Sequence, residues 1–299
     1  MMRKTTRLRH LIEQPGLLEM PGAYEPMGAK LIEKAGFEAI QCSGLGISAT
    51  YLGLPDYSML AMSDMVAATR LIASAVDIPV MADGDTGFGN AVNVFYAVQA
   101  FEAAGAAGMN LEDQVMPKRC GHLDGKQVVS LEEAVAKISA ACAARRDPDF
   151  VINARTDALA SHGIDEVIRR GNAYLEAGAT MVFVEGAATL DLIAQAVRGI
   201  RGPVGVNIVH GGKSQDLDLP ELKAIGVARV SLPGLLLGAA WQAIAEVLDE
   251  VRESGRVAAV ASRMHPFTAI HQLMGTPDVT ALEERFLAPL KSVTEGLRA

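Results

Sequence analysis

Apolar positions along the chain follow two alternating periodicities. Ala-rich stretches with helical spacing end in Ala-Gly or Ile-Gly, and a short, unbroken apolar run follows each. The pattern recurs at 34–40, 107–111, 177–183 and 225–230. Glycine just past a helix end takes the left-handed cap that other residues resist. A run too short for a helix and apolar throughout fits a strand buried on both faces. Helix, glycine and buried strand in repetition predict parallel β/α architecture. With strands introduced by other turns, eight candidates lie near 17–20, 38–42, 79–83, 108–112, 150–154, 180–185, 203–207 and 228–232. Helical stretches separate most of them, for example 131–145 and 165–176. Eight parallel strands favour a closed (β/α)8 TIM barrel over an open doubly wound sheet. No Gly-x-Gly-x-x-Gly opens a helix after the first strand to support the latter.

No linker rich in Pro, Ser or Gly breaks the chain, so 1–299 reads as one domain. A helical extension from about 264 to 299 is expected to cover the barrel or dock on a neighbouring subunit. The basic start, MMRKTTRLRH, lacks a signal-type apolar run and reads as a short surface helix capping the barrel bottom.

Composition narrows the partners. Lys and Arg total 27 against 35 Asp and Glu, a net charge of −8, and no basic stripe interleaved with aromatics stands out. Nucleic acid is therefore not an expected partner. No apolar run reaches the roughly 18–20 residues of a membrane span. Cys42, Cys120 and Cys142 form neither a disulfide framework nor a zinc spacing, which suggests a reducing, cytoplasmic setting.

In such barrels reactive groups project from the C-terminal strand ends. Those ends read Ser43-Gly44-Leu45-Gly46, Asp83-Gly84-Asp85, Glu112-Asp113-Gln114, Arg155-Thr156-Asp157, Glu185 and Asn207. Asp83 and Asp85 flank a glycine, so both carboxylates can face one side of a turn. With Glu112 they offer hard oxygens suited to Mg²⁺; the ordinary alternative is an Asx-capped turn. Arg155 suits bidentate recognition of a substrate carboxylate, or a structural ion pair with Glu185 or Glu112. Cys120 sits among Lys118, Arg119 and His122, cations expected to lower its pKa, and Gly121 lets its loop close over a site. Cys42 and Cys142 read as small core residues. His210 could line the mouth. Ser43, outside any nucleophile elbow, is better placed to donate with the Gly44 and Leu45 amides to a carboxylate or enolate oxygen.

These motifs, together with Leu54-Pro55-Asp56 and Lys118-Arg119-Cys120-Gly121-His122, resemble the isocitrate lyase / phosphoenolpyruvate mutase superfamily over nearly the whole chain. The resemblance implies C-terminal helices swapped between subunits of a homotetramer, a dimer of dimers. It implies Mg²⁺, with Mn²⁺ as a substitute, held mainly through waters by Asp56, Asp83, Asp85 and Glu112. Expected substrate contacts are Ser43, Gly44, Leu45, Gly121, Arg155, Asn207 and Arg263. Expected catalytic groups are Cys120, Glu185, Arg155, Lys118 and His122. The Cys120 loop is similar to the family's gating loop, and its cysteine marks the lyases. Phosphonopyruvate-handling mutases and hydrolases, and an oxaloacetate decarboxylase branch, usually lack it.

Methylisocitrate lyases hold a third carboxylate with an Arg after the eighth strand, where this chain has Gly238. An unpaired third carboxylate in a dry pocket would cost about several kcal/mol. The implied substrate is therefore a small carboxylic acid, a 2-alkylmalate such as 2,3-dimethylmalate. Cleavage would give pyruvate or glyoxylate plus a carboxylic acid, with Glu185 or a metal-held hydroxide as base and Cys120 as acid. Alternatives are methylisocitrate cleavage, oxaloacetate hydrolysis or decarboxylation, and carboxyphosphonoenolpyruvate or phosphoenolpyruvate phosphonomutase chemistry. A non-catalytic barrel would have lost a metal carboxylate or Cys120, and neither is lost.

Overall fold

Eight short runs form the strands: Leu18–Ala23 (β1), Ile40–Cys42 (β2), Val80–Asp83 (β3), Gly108–Glu112 (β4), Val151–Thr156 (β5), Met181–Val184 (β6), Val204–Asn207 (β7) and Arg229–Leu232 (β8). In the computed structural model they pair in sequence order, all parallel, and β8 closes on β1 with Leu18 beside Arg229. The closed barrel is the anticipated (β/α)8 fold. The structure describes residues 2–123 and 125–296, with side chains through 287. Met1 of the basic start and residues 297–299 of the anticipated extension lie outside the described residues.

The first helices are α1 (Lys4–Glu13), α2 (Pro26–Lys34), α3 (Gly44–Tyr51), α4 (Met62–Ser74), α5 (Ala91–Ala103) and α6 (Leu131–Ala144). They are followed by α7 (Leu159–His162), α8 (Ile164–Glu176), α9 (Leu190–Gly199), α10 (Leu219–Ala224) and α11 (Leu235–Ser254). A 3-10 helix, Val257–Arg263, then α12 (Phe267–Leu273) and α13 (Thr276–Gly296) complete the order. Two compact units, Met1–Gly238 and Ala239–Ala299, divide within α11. The first holds the whole barrel; the second holds the rest of α11 and the helices after it.

Three of the four anticipated glycine caps are left-handed: Gly36 (φ 92°), Gly178 (φ 103°) and Gly226 (φ 88°). The fourth needs correcting. Helix α5 is capped by Gly105 (φ 89°), whereas Gly108 opens β4. A Cβ on Gly108 would lie 2.6 Å from Val151 Cβ on the adjacent strand, so packing rather than capping requires glycine there. At the N-terminal end of the barrel, α1 does more than lie on the surface. Leu8 and Ile12 are fully buried among Leu18, Met20, Met81, Val151 and Met181, closing the bottom with apolar side chains.

Candidate active site

Successive strand residues face opposite sides, so groups two apart share a face. Counting back from the rim, this parity carries Ser43 and Gln41 inward from β2. Glu112 and Asn110 follow from β4, Arg155 and Asn153 from β5, Glu185 and Phe183 from β6, and Ser231 and Arg229 from β8. Strand pairing sets Asp83 beside Asn110, and Glu112 beside Arg155. The residues between them, such as Leu111, Ala154, Val184 and Val230, are buried in the outer apolar clusters.

The C-terminal mouth encloses a cavity touched by Ser43, Gly44 and Leu45, by Asp56, and by Asp83 at the end of β3. Lys118, Cys120, Gly121 and His122 reach it from the loop after β4, and Arg155, Glu185 and Asn207 from β5, β6 and β7. The anticipated site residues of the barrel thus meet at one place. Asp85 and Glu112 stand behind that lining. Arg263 belongs to the second unit, where it faces Glu246 at 3.9 Å and Glu250 at 4.0 Å. His210, anticipated at the mouth, is exposed and does not line the cavity.

Two buried cations organise the acids. Lys118 Nζ lies 2.6 Å from Asp56 Oδ1 and 2.8 Å from Asp85 Oδ1. Arg155 donates from Nε to Asp157 Oδ2 at 2.8 Å and from Nη2 to Asp157 Oδ1 at 3.0 Å. It also pairs with Glu112 at 3.2 Å and Glu185 at 3.3 Å. Burial disfavours both cations, but the carboxylates around them more than offset it and hold both well above their ordinary values. Burial pushes the Asp85 carboxyl up to about 6 against the pull of Lys118, and Glu112 also rises despite Arg155. The structural ion-pair reading of Arg155 is therefore real, and the same side chain still lines the cavity.

The expectation for Cys120 needs reversing. Burial raises its thiol pKa, and Asp56 and Glu185 add to the rise, so the neutral thiol is favoured. The anticipated cations are spent elsewhere: Lys118 on its two aspartates, while His122 is held neutral chiefly by burial. Lys213 N donates to His122 Nδ1 at 3.0 Å, which leaves the ring proton on Nε2, 3.4 Å from Glu185 Oε1. Cys42 is core as expected, its thiol pushed up to about 12 by burial.

The Ser43 turn is also engaged differently from expectation. Ser43 Oγ donates to Pro233 O at 2.9 Å and accepts from Gly46 N, capping α3. Gly44 N donates to Asp83 Oδ2 at 3.2 Å.

Among the described residues no three Asp, Glu, His or Cys side chains converge as direct ligands of one ion. The donors nonetheless fit an ion held through its own waters. All are hard carboxylate oxygens. Asp56, Asp83, Asp85, Glu112, Asp157 and Glu185 make six acids around the mouth. Among the described residues, Lys118, Lys126 and Arg155 pair with five of them, Asp56, Asp85, Glu112, Asp157 and Glu185, so the carboxylates outnumber the cations bonded to them. A strongly hydrated divalent ion such as Mg²⁺ suits that balance.

Sequence reasoning passed over the layer beneath. Arg229 is fully buried, stacked 5.4 Å from the Phe183 ring centroid, and donates to Gln41 Oε1. Burial lowers it to about 9, opposed by Asp83 and Glu185. Lys126, Asp113 and Asp157 were likewise given no role. Inward parity was the signal for Gln41, Asn110, Asn153 and Arg229: polar residues two places before a rim group, inside otherwise apolar runs.

A closed parallel barrel with acids, a guanidinium and a thiol at its C-terminal rim defines an α/β-barrel enzyme site. The chain belongs to the phosphoenolpyruvate mutase/isocitrate lyase superfamily: residues 8–252 match the phosphoenolpyruvate phosphomutase family. It is 40% identical over 285 residues to 2,3-dimethylmalate lyase of Eubacterium barkeri, covering 95% of this chain and 99% of that protein. It superposes with TM-score 0.89 and 34% identity on oxaloacetate acetylhydrolase bound to the inhibitor 3,3-difluorooxalacetate, covering 94% of this chain and 96% of that one. Phosphonopyruvate hydrolase with oxalate and Mg²⁺ gives 0.87 and 38%, covering 96% and 100%.

Proposed function

We propose that the protein is a Mg²⁺-dependent carbon–carbon lyase that cleaves a 2-alkylmalate, such as 2,3-dimethylmalate, to pyruvate plus a carboxylic acid. The observation that carries the reading is Cys120. A neutral thiol on a loop over a carboxylate- and guanidinium-lined mouth is what protonation of a carbanionic fragment requires. Phosphoryl transfer needs no such proton.

Asp56, Asp83, Asp85 and Glu112 would hold Mg²⁺, or Mn²⁺ in its place, through waters. The ion would supply Lewis-acid polarisation of the substrate's 2-oxygen and neighbouring carboxylate. Arg155 orients the substrate carboxylate, with Ser43, Gly44, Leu45, Gly121 and Asn207 shaping its pocket. Glu185 accepts the 2-hydroxyl proton. The C2–C3 electron pair leaves with the second fragment as its enediolate, stabilised by Arg155, and Cys120 Sγ gives its proton to that carbon. Lys118 and His122 fix the loop that carries Cys120. The thiol is restored by the proton taken at the hydroxyl, so atoms and charge balance.

Lys118 and Arg155, which line the mouth, already answer carboxylates of the chain, which favours a dicarboxylate over a tricarboxylate. Arg263 is kept as a candidate substrate contact, the role the family resemblance implies. The second unit carries Trp241 74% exposed and Phe267 75% exposed. That apolar surface supports helices swapped with a second copy in a dimer of dimers. Three free cysteines support a reducing, cytoplasmic setting, and no described helix is long and apolar enough to cross a membrane.

Turnover of 2,3-dimethylmalate, methylisocitrate, oxaloacetate and phosphonopyruvate, side by side with Mg²⁺, tests the proposal. Pyruvate from the first substrate is expected. Phosphonopyruvate as the sole substrate turned over would overturn it. The likeness to oxaloacetate acetylhydrolase favours oxaloacetate hydrolysis as the second reading, detected as oxalate and acetate.

A further inference from the structure

We propose that Lys126 and Asp157 form a latch that couples closure of the Cys120 loop to the orientation of Arg155. Both are then positioning residues. What closure serves rests on the reaction proposed above; the latch itself does not.

Lys126 Nζ donates to Gly121 O and to Asp157 Oδ1, both at 2.6 Å. Its side chain is 4% exposed and that of Asp157 fully buried. The same Asp157 carboxylate takes two hydrogen bonds from Arg155. One ammonium therefore ties the loop backbone, beside Cys120, to the group that aims the guanidinium.

Asp157 cannot follow the loop outward. Its backbone N–H donates to Asp113 Oδ1 at 2.9 Å. Asp113 Oδ2 in turn accepts from Tyr174, Thr156 and Arg170 at 2.7, 2.8 and 3.1 Å. The loop must come to Asp157, not the reverse.

The two limbs of the loop are tied separately. Before Cys120, Lys118 binds Asp56 and Asp85, and Gln114 exchanges hydrogen bonds with the Arg119 backbone. After it, His122 accepts from Lys213 N, and Lys126 reaches back to Gly121. Opening that second limb takes the ammonium off a buried carboxylate, whose remaining partner is the Arg155 fork. Arg155 would then redistribute between Asp157, Glu112 and Glu185, so an open loop also means a less well aimed guanidinium.

The test is the rate at which iodoacetamide alkylates Cys120 in the full-length, Mg²⁺-supplied protein without substrate, read peptide by peptide. A hydrogen bond to a charged group contributes about 1.5–3 kcal/mol, so Lys126→Met should speed Cys120 labelling by about 10- to 100-fold. Cys42, in the barrel wall, should label as slowly as before. Lys126→Arg should return the Cys120 rate most of the way to wild type. Should Lys126→Met loosen the whole fold, shown by Cys42 accelerating in step, Lys126→Gln carries the same comparison. An unchanged Cys120 rate in the folded variant overturns the latch. Faster labelling in a protein that cleaves none of the candidate acids leaves the latch standing and removes the lyase reading instead.

Discussion

A methyl group at Gly121 has nowhere to go. Its Cβ would lie 2.2 Å from Glu185 Cδ, 2.3 Å from Glu185 Oε1 and 2.6 Å from Arg155 Nη2. Carbon contacts are optimal near roughly 3.5–4.0 Å, so something must give by about 1 Å. Glu185 is fully buried, accepts from Asn207 Nδ2 at 3.2 and 3.3 Å, and faces Arg155. Arg155 is gripped by three carboxylates. The loop backbone is the softer partner, so Gly121→Ala lifts the loop and carries Cys120 away from the mouth. A misplacement of about 1 Å costs about 100-fold, equivalent to about 2.7 kcal/mol of barrier. The expected result is a kcat about 100-fold lower in a pyruvate-release assay. The thermal midpoint should fall by about 2–4 °C for each kcal/mol lost as the loop lifts and the Lys126 bond to Gly121 O loosens. Turnover within threefold of wild type would refute the placement of Gly121 against Glu185 and Arg155 during reaction.

Cys120→Ser should abolish cleavage yet leave pyruvate and Mg²⁺ binding nearly unchanged by calorimetry; full turnover would remove the acid role. Asp85, raised by burial to about 6 from an ordinary 3.8, contributes to stability most fully below pH 3.8, and that contribution is lost as pH rises through 6. Mg²⁺ needs the ionised form, so the Mg²⁺ concentration for half-maximal activity should rise by up to about tenfold per unit below pH 6. Equal Mg²⁺ requirements at about pH 5 and pH 7.5 would contradict this. Leu8→Ala empties part of the bottom plug and should cost about 2–5 kcal/mol, measured by chemical unfolding; a loss below about 0.5 kcal/mol would mean α1 does not seal the barrel.

Strand positions were legible because a barrel strand buried on both faces is apolar throughout, and because left-handed glycines mark where helices stop. Gly108 misled because it stands at a helix-to-strand junction too, yet its lack of a side chain serves contact with Val151. Rim chemistry was legible because charges after apolar runs are conspicuous. Partnerships were not. Whether Lys118 lowers the Cys120 pKa or is spent on Asp56 and Asp85 depends on a chain reversal that brings residue 56 to residue 118, which spacing does not encode. Arg229 was passed over because, at the start of β8, its charge resembles a strand boundary. Only inward parity, counted from Ser231, places it inside the barrel.

The acid surplus at the mouth explains two features that look unrelated. A site built to retain a divalent ion must carry more carboxylates than its own cations neutralise. A cysteine meant to deliver a proton, rather than attack, must keep that proton until a stronger base forms beside it. Asp56 and Glu185 serve both ends: they add negative charge at the rim and disfavour the thiolate of Cys120. Had Lys118 been free, it would have favoured thiolate and left a nucleophile where an acid is needed. On the proposed reading, its burial between Asp56 and Asp85 would serve the acid chemistry as well as the ion site. On that reading a carbanionic fragment forming against Arg155 would be the base that takes the proton, which would tie protonation to bond cleavage without a separate switch.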